Sequence, residues 1–291
     1  MPKVSIIVLQ YNQSDRTLAC LESLAKLTYP TFNVIVVDNG SDVQHLKAIE
    51  YWIEMNKALG FKLKAISKNL GYSGGNNIGI REALKDGNND YILILNNDIV
   101  VEPDFLGQMV SVMNYRAGIK VVGVEYGTMQ WLRTELPLSR KAPSSNELQK
   151  NQYLSGLALL VYRGIFKEDH TNGFDERYFL YFEDVDFTFR VSPQYSYKLG
   201  IAQAKYQHAV SATTKSLGSA TLLYYHTRNA LLFNKTHGPW WVQLALPFWA
   251  FWIRIKQHVK IALGRNSAES KAILKGVKDF YDSNWGGMRI K

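Results

Sequence analysis

The sequence predicts an α/β fold with a mainly parallel sheet and helices on both faces. Three observations carry that prediction. Short apolar, β-branched runs recur through the first hundred residues. Helically spaced segments separate them, and polar or acidic residues collect where the runs end. Strands alternating with helices imply parallel pairing through right-handed crossovers.

The elements follow in order. Lys3-Val4-Ser5-Ile6-Ile7-Val8-Leu9 reads as a buried strand, and residues 14–27 as a helix with Leu18, Leu21, Leu24 and Leu27 on one side. Asn33–Asp38 is a second buried strand, Leu46–Leu59 a helix, and Phe61–Ile66 a third strand. Asn76–Leu84 reads as a helix entered through a Gly-rich loop, and Tyr91–Leu95 as a fourth strand that ends at Asn96-Asn97-Asp98. Beyond about residue 125 the alternation weakens. Residues 134–152 read as a surface excursion, Tyr153–Tyr162 is apolar again, and 216–235 looks helical.

Composition narrows the class. With 46% hydrophobic and 20% charged residues the chain is globular, not disordered. A single cysteine, Cys20, excludes an intrachain disulfide and a cysteine-based zinc site, as in a reducing cytosol. No signal-peptide pattern precedes Val4, so a cytoplasmic location is the expectation. The net charge is +9, of which +6 falls between Arg254 and Lys291. The body is therefore nearly neutral, and the basic character of the tail leaves anionic lipid or nucleic acid as partners.

In open α/β sheets ligands bind at the carboxyl ends of strands. Those ends carry Gln10-Tyr11-Asn12, Asp38-Asn39 and Asn97-Asp98. Asp98 after a buried strand can hold a divalent cation, because Mg²⁺ takes one or two carboxylates plus phosphate oxygens and water. His208 is a candidate second ligand, although a lone histidine is more often a structural hydrogen-bonder. The loop Asn69–Gly79 holds four glycines and three asparagines. It lets backbone approach a ligand and opens onto a helix N-terminus. It matches neither the P-loop nor the dinucleotide fingerprint. A flexible turn is the alternative.

Phe179–Phe187 sets Glu183, Asp184 and Asp186 among four aromatics. Buried carboxylates need a cation, a metal or hydrogen-bond donors, or they shift their pKa. A proton-handling site fits that pattern, and a helix start with acids against the dipole fits it too.

Taken together, Val4–Asn12, Val36-Val37-Asp38-Asn39-Gly40-Ser41, the Asn69–Gly79 loop, Leu95–Asp98, and Gly173–Glu176 leading to Glu183–Asp186 with Arg190 resemble glycosyltransferase family 2, in its bacterial rhamnosyltransferase-like branch. The resemblance spans roughly residues 1–235. It implies a GT-A fold, a nucleotide-diphospho-sugar donor and inverting transfer. Gln10, Tyr11, Asn12, Asp38, Asn69, Gly71, Asn76, Asn77 and Asn97 are then expected at the nucleotide-sugar. Asp98 and His208 are expected to hold Mg²⁺ or Mn²⁺ in a variant DXD site. Asp184 is expected as general base, with Glu183, Asp186 and Arg190 in support and Arg228 or Lys215 facing the leaving group. Phe179, Tyr181 and Phe182 are expected either to stack on sugars or to pack in the core. Two departures stand out: Gln10 replaces the more usual threonine of the first strand, and Asn96 replaces the first aspartate of DXD.

The expected organisation is a transferase domain over 1–215, with a nucleotide-sugar half to about 125 and an acceptor half to 215, followed by a helical extension over 216–291. Trp240–Ile253 is a run of fourteen uncharged residues containing four tryptophans. At about 21 Å as helix it is short of the ~30 Å hydrocarbon core. With Arg254, Lys256, Lys260 and Arg265 following, it fits the inner membrane surface near a lipid-linked or saccharide acceptor, or else packing within the chain or between two copies as a homodimer. A UDP-hexose donor, a nucleotidyltransferase and a nucleic-acid-binding protein are the competing readings. The last leaves the acidic cluster unexplained.

Overall fold

The structure is a computed structural model that describes residues 1–115, 117–139, 145–149, 151–167, 173–195, 197–208, 212–265 and 267–288. The first half runs β1 (Val4–Gln10), α1 (Ser14–Leu24), β2 (Phe32–Asn39), α2 (Val43–Met55), β3 (Lys62–Ile66), α3 (Gly71–Lys85), β4 (Tyr91–Asn96), β5 (Ile99–Val101), α4 (Phe105–Tyr115) and β6 (Ile119–Gly123). There follow β7 (Tyr126–Thr128), β8 (Gln152–Leu154), β9 (Ala158–Tyr162), α5 (Gly164–Lys167), α6 (Glu183–Tyr195), β10 (Lys198–Ile201) and β11 (Tyr206–His208). Three helices close the chain: α7 (Ala212–His237), α8 (Trp240–Ala262) and α9 (Ser267–Tyr281).

The main sheet has seven strands in the order β10-β6-β9-β4-β1-β2-β3. The pairings of β1 with β2 and β4, of β2 with β3 and of β6 with β10 are parallel, whereas β9 is antiparallel to both β4 and β6. Alternation along the strands feeds two cores. Val4, Ile6, Val8, Val34, Val36, Leu93 and Leu95 face α1, α2 and α4. Ile7, Ile35, Val37, Ile92 and Ile94 face α3 and α6.

The register places Gln10 opposite Asp38 and Leu9 opposite Asn96, so the polar ends share one rim. A separate pair, β5 with β11, aligns His208 with Ile99 and so returns the chain to the end of β4.

The Gly-rich stretch is not a loop. Helix α3 begins at Gly71. Tertiary packing overrides glycine's weak helix propensity here. A Cβ on Gly75 would lie 2.5 Å from Leu9 Cδ1, and one on Gly79 2.4 Å from Ile7 Cγ2. The glycines thus let the helix lie directly on β1.

The C-terminal helices are not an appendage. Ala230–Phe233 of α7, Leu246 and Ala250 of α8, and Val277 and Phe280 of α9 share a core with Tyr178, Phe182 and Val185. The extension therefore closes around the acidic-aromatic segment. Helix α7 is broken at Gly218, which has φ 73°. The Lys215 side chain lies outside the described residues.

Candidate active site

Asp38 and Gln10 form the floor of the rim. Both are buried; Gln10 Nε2 donates to Asp38 Oδ2 at 2.9 Å, and the Ser41 amide donates to Asp38 Oδ1 at 3.0 Å. The glutamine that departs from the usual first strand thus positions Asp38. Tyr11 is exposed beside them. Asn12, in left-handed backbone, accepts from the Asp42 amide at 2.7 Å and ties β1 to the start of α2.

Asn39 was not among the expected site residues, yet it organises the neighbouring wall. Its Nδ2 donates to Asn69 Oδ1 and to Gly71 O, and its Oδ1 accepts from the Leu70 amide. Asn69 Oδ1 also accepts from the Gly71 amide at 2.7 Å. The expectation of an anion at this helix N-terminus is corrected, because the Tyr72 and Ser73 amides donate to Phe179 O instead. The same contact explains Gly71. Its φ is +75°, and a side chain there would meet Phe179 O at 2.4 Å.

Asn77 is likewise corrected. Its amide bonds Phe174 O, Glu176 Oε1 and the Phe174 amide, so it holds the 173–176 turn instead of facing a donor. Asn76 is buried with Oδ1 unpartnered, and Asn97 Nδ2 donates to Thr17 Oγ1.

The end of β4 has the features of a cation site. Asn96 Oδ1 and Asp98 Oδ1 are both buried without a hydrogen-bond partner. Such orphaned acceptors call for an unseen partner. His208 Nε2 lies 3.4 Å from Asp98 Oδ2, brought there by the β5–β11 pairing, and Arg16 Nη1 lies 4.0 Å from the same oxygen. Two hard oxygens and an imidazole fit Mg²⁺ or Mn²⁺. Among the described residues no group of three or more His, Cys, Asp or Glu gathers. The remaining positions would fall to diphosphate oxygens and water. Cys20 is buried nearby, its thiol pushed up to about 12 by burial and by Asp98, and so is inert.

Glu183, Asp184 and Asp186 occupy the first turn of α6, so the helix-start reading of the acidic cluster holds as far as position goes. Their environments nonetheless differ sharply. Asp184 stays half-buried; its Oδ2 accepts from the Gly156 amide at 2.9 Å and its Oδ1 from the Val185 amide at 2.8 Å. Glu183 is buried with Oε2 unpartnered. Burial, then the charge of Asp184, lifts the Glu183 carboxyl well above its ordinary value. Burial also raises Asp184, against the pull of the two amides. Burial thus disfavours the charged form of both acids, and the two retain a proton, as a pair, above the usual carboxylate range.

Tyr72 connects this pair to the rim. Its hydroxyl donates to Gly156 O at 2.6 Å. Burial drives its pKa far up, and the charges of Glu183, Asp184 and Asp98 add to the rise, so all three acids lie near Tyr72.

Asp186 plays a different part. It is fully buried between Arg190 Nε at 2.8 Å and His237 Nε2 at 2.7 Å. Burial pushes its carboxyl up, but the His237 bond and the Arg190 charge outweigh it and hold it low. Pairing with Arg190 is as expected. Binding of acceptor hydroxyls by Asp186 is corrected, since the carboxylate is buried and turned onto Arg190 and His237.

Arg228 is also corrected. It is fully buried, with Nη2 donating to Arg177 O and Tyr178 O, Nη1 to Gly286 O and Tyr224 Oη, and Nε to Asn229 Oδ1. No N–H remains for a leaving diphosphate. Its neighbour Asn229 donates from Nδ2 to Tyr178 O, Leu180 O and Tyr181 O, each at 2.8 Å. These two side chains hold a turn in which Phe179, Tyr181 and Phe182 all adopt positive φ. For the aromatics, packing accounts for the faces in view. Phe179 stacks on Tyr225, Tyr181 on His226, and Phe182 packs on Phe233.

A mixed sheet whose strand-end rim combines a buried aspartate, a cation-competent Asn96/Asp98/His208 corner and a proton-retaining acid pair defines a transferase of the GT-A type. The chain belongs to Glycosyl transferase family 2, whose pattern it matches over residues 5–170. It is 27% identical to O-antigen biosynthesis protein RfbC of Myxococcus xanthus over 74% of its own length and 18% of that protein's. It is 23% identical to the low-salt glycan biosynthesis hexosyltransferase Agl10 of Haloferax volcanii over 64% of the chain and 61% of the relative. An N-acetylglucosaminyl-diphospho-decaprenol L-rhamnosyltransferase of Mycobacterium tuberculosis is 33% identical over 31% of the chain and 28% of the relative. The chain thus spans less than two thirds of the length of any of these three. In fold it is similar to the mannosyltransferase PcManGT of Pyrobaculum calidifontis, solved with GDP-Man and Mn²⁺. The TM-score is 0.62 at 17% identity, over 97% of this chain and 88% of that one.

Proposed function

We propose that this enzyme moves a hexosyl unit, with inversion, from a nucleotide-diphospho-sugar to a hydroxyl of a saccharide or lipid-linked acceptor in bacterial surface polysaccharide synthesis. One observation carries the reading: Asp184 is half-buried at the start of α6, its Oδ2 accepting from the Gly156 amide, with its carboxyl raised by burial. Asp184 accepts the acceptor hydroxyl proton as that oxygen bonds C1 of the sugar. The C1–O bond to the diphosphate breaks, and a nucleoside diphosphate leaves. An acceptor hydroxyl is a poor nucleophile until a positioned base takes its proton, which is the role assigned to Asp184. A divalent cation on Asp98 and His208, with Asn96 contributing, supplies charge neutralisation for the leaving diphosphate when bound. Asp38 hydrogen-bonds the nucleobase, with Tyr11 and Asn12 beside it. Residues 1–215 form the transferase domain, and 216–291 serve as its extension at the cytoplasmic membrane face.

dTDP-rhamnose is the first donor to test. The name of the Mycobacterium relative, an L-rhamnosyltransferase, supports the rhamnosyl group. The test is a thermal-shift panel of dTDP-rhamnose, UDP-hexoses and GDP-mannose, each with and without Mn²⁺. A ligand at a hundred times its Kd adds about 2.7 kcal/mol of stability. One donor is expected to stabilise selectively and with Mn²⁺, and Asp98→Asn should remove the Mn²⁺ dependence. If a UDP-hexose wins, the rhamnosyl assignment falls; if none responds, the transferase assignment falls.

A further inference from the structure

We propose that the outward face of α8 is a docking surface for an anionic lipid bilayer. This deepens the membrane placement above, and its test needs no transfer activity. Helix α8 has two opposed apolar faces. Val242, Leu246, Ala250 and Gln257 are buried against the body of the protein. The opposite face carries Trp240, Leu244, Phe248, Phe251, Trp252 and Val259, all exposed; Trp240 is 75%, Phe248 70% and Trp252 65% accessible. At 1.5 Å per residue this stripe is about 30 Å long. Isolated exposed apolar residues are ordinary, whereas a continuous aromatic stripe marks an interaction site.

Charge selects the occupant. From Trp240 to Arg265 there is no Asp or Glu. With 100° between successive residues, Arg254 lies along one edge of the stripe and Lys256 along the other, with Lys260 farther round toward the inner face. None of the three pairs with a carboxylate among the described residues. A groove of about 400 Å³ between α8 and α9, lined by Arg254, His258, Lys278 and Asp282, borders the first edge. An aromatic stripe flanked by cations matches the acyl–headgroup boundary of an anionic leaflet, with the helix lying in its plane. No helix among the described residues is long and apolar enough to cross a membrane. A second copy of the chain would present the same cations against one another across a two-fold contact, so it fits less well. Docking here also fixes the site's orientation. The inner face of α8 packs on α7, and α7 carries Asn229, which holds the turn before Asp184.

The test is sedimentation of the full chain with vesicles of phosphatidylcholine alone or with about 30% phosphatidylglycerol, together with tryptophan fluorescence. Binding to the anionic vesicles with a blue shift, and little binding to the neutral ones, is expected. Phe248→Asp/Trp252→Asp should lower binding at least tenfold, and Arg254→Glu/Lys256→Glu about fivefold for each charge removed. All four side chains are exposed, so unchanged circular dichroism serves as the folding control. Equal binding to both vesicle types would overturn the proposal, as would binding that survives the double aspartate variant. Indifference to vesicles together with a dimer in sedimentation velocity would assign the stripe to a second copy.

Discussion

Asn229 bonds the backbone turn that precedes Glu183 and Asp184, and its loss should disable transfer. Phe179, Tyr181 and Phe182 have φ of 61°, 67° and 71°. For non-glycine residues that conformation costs roughly 1–2 kcal/mol each, about 3–6 kcal/mol for the turn. Asn229 Nδ2 bonds three of its carbonyls. Asn229→Ala forfeits two donor protons at about 1 kcal/mol each and leaves a buried carbonyl short of partners, for a total near 2–3 kcal/mol. At 1.36 kcal/mol per tenfold, the native turn becomes roughly 30- to 150-fold less favoured. Glu183 and Asp184 follow that turn directly, so kcat should fall at least tenfold. The donor KM should stay within about twofold, because Asp38 and Gln10 are untouched. The assay is nucleoside diphosphate release from the donor identified by thermal shift. Asn229→Asp should fail equally, since a carboxylate cannot donate to carbonyls. A variant that loses melting temperature but keeps wild-type kcat would refute the reasoning.

Three further outcomes follow from the same geometry. Asp184→Asn should lower kcat by about 10²–10⁴ with donor-induced thermal shift retained, as expected for a lost general base; near-normal turnover would exclude Asp184 from that role. Glu183→Gln, by contrast, should remain active, because an amide suits a site whose burial disfavours the charged carboxylate. Burial first, and Asp184 second, raise Glu183 above 4.5, so its stabilising contribution is complete below its unfolded pKa and is lost as pH rises through the raised value. The wild type should therefore lose melting temperature relative to Glu183→Gln as pH rises above the ordinary carboxylate value; parallel curves would show that folding leaves the Glu183 carboxyl unshifted. Gly79→Ala should cost about 1–3 kcal/mol by urea denaturation through overpacking against Ile7, and an unchanged midpoint would mean that α3 can lift from the sheet.

The strand-end rim was legible because buried strands announce themselves by composition and parallel order sends their ends one way. Asp38 and Asp98 needed nothing further. Strand β9 was not legible, because it inserts antiparallel between β4 and β6 and only long-range pairing defines it. The approach of His208 to Asp98 depends on β5 pairing with β11, about a hundred residues later, and family resemblance anticipated it where spacing could not. In Asn69–Gly79 the sequence pointed the wrong way. Glycines that normally punctuate a chain here serve the close approach of α3 to Ile7 and Leu9. Asn229 and His237 left a fainter signal. Thr227-Arg228-Asn229 runs straight into Ala230-Leu231-Leu232-Phe233, and polar side chains carried into an apolar helix must find internal partners.

Asp186 is gripped from within its own helix by Arg190 and from the far end of α7 by His237. The shared family pattern ends at residue 170, before both partners. A chimaera spliced between α6 and α7 would inherit the donor floor but leave a buried aspartate half-answered by a foreign helix. The workable junction therefore lies upstream of Gly173, so that everything from that turn through Met288 travels as one cassette.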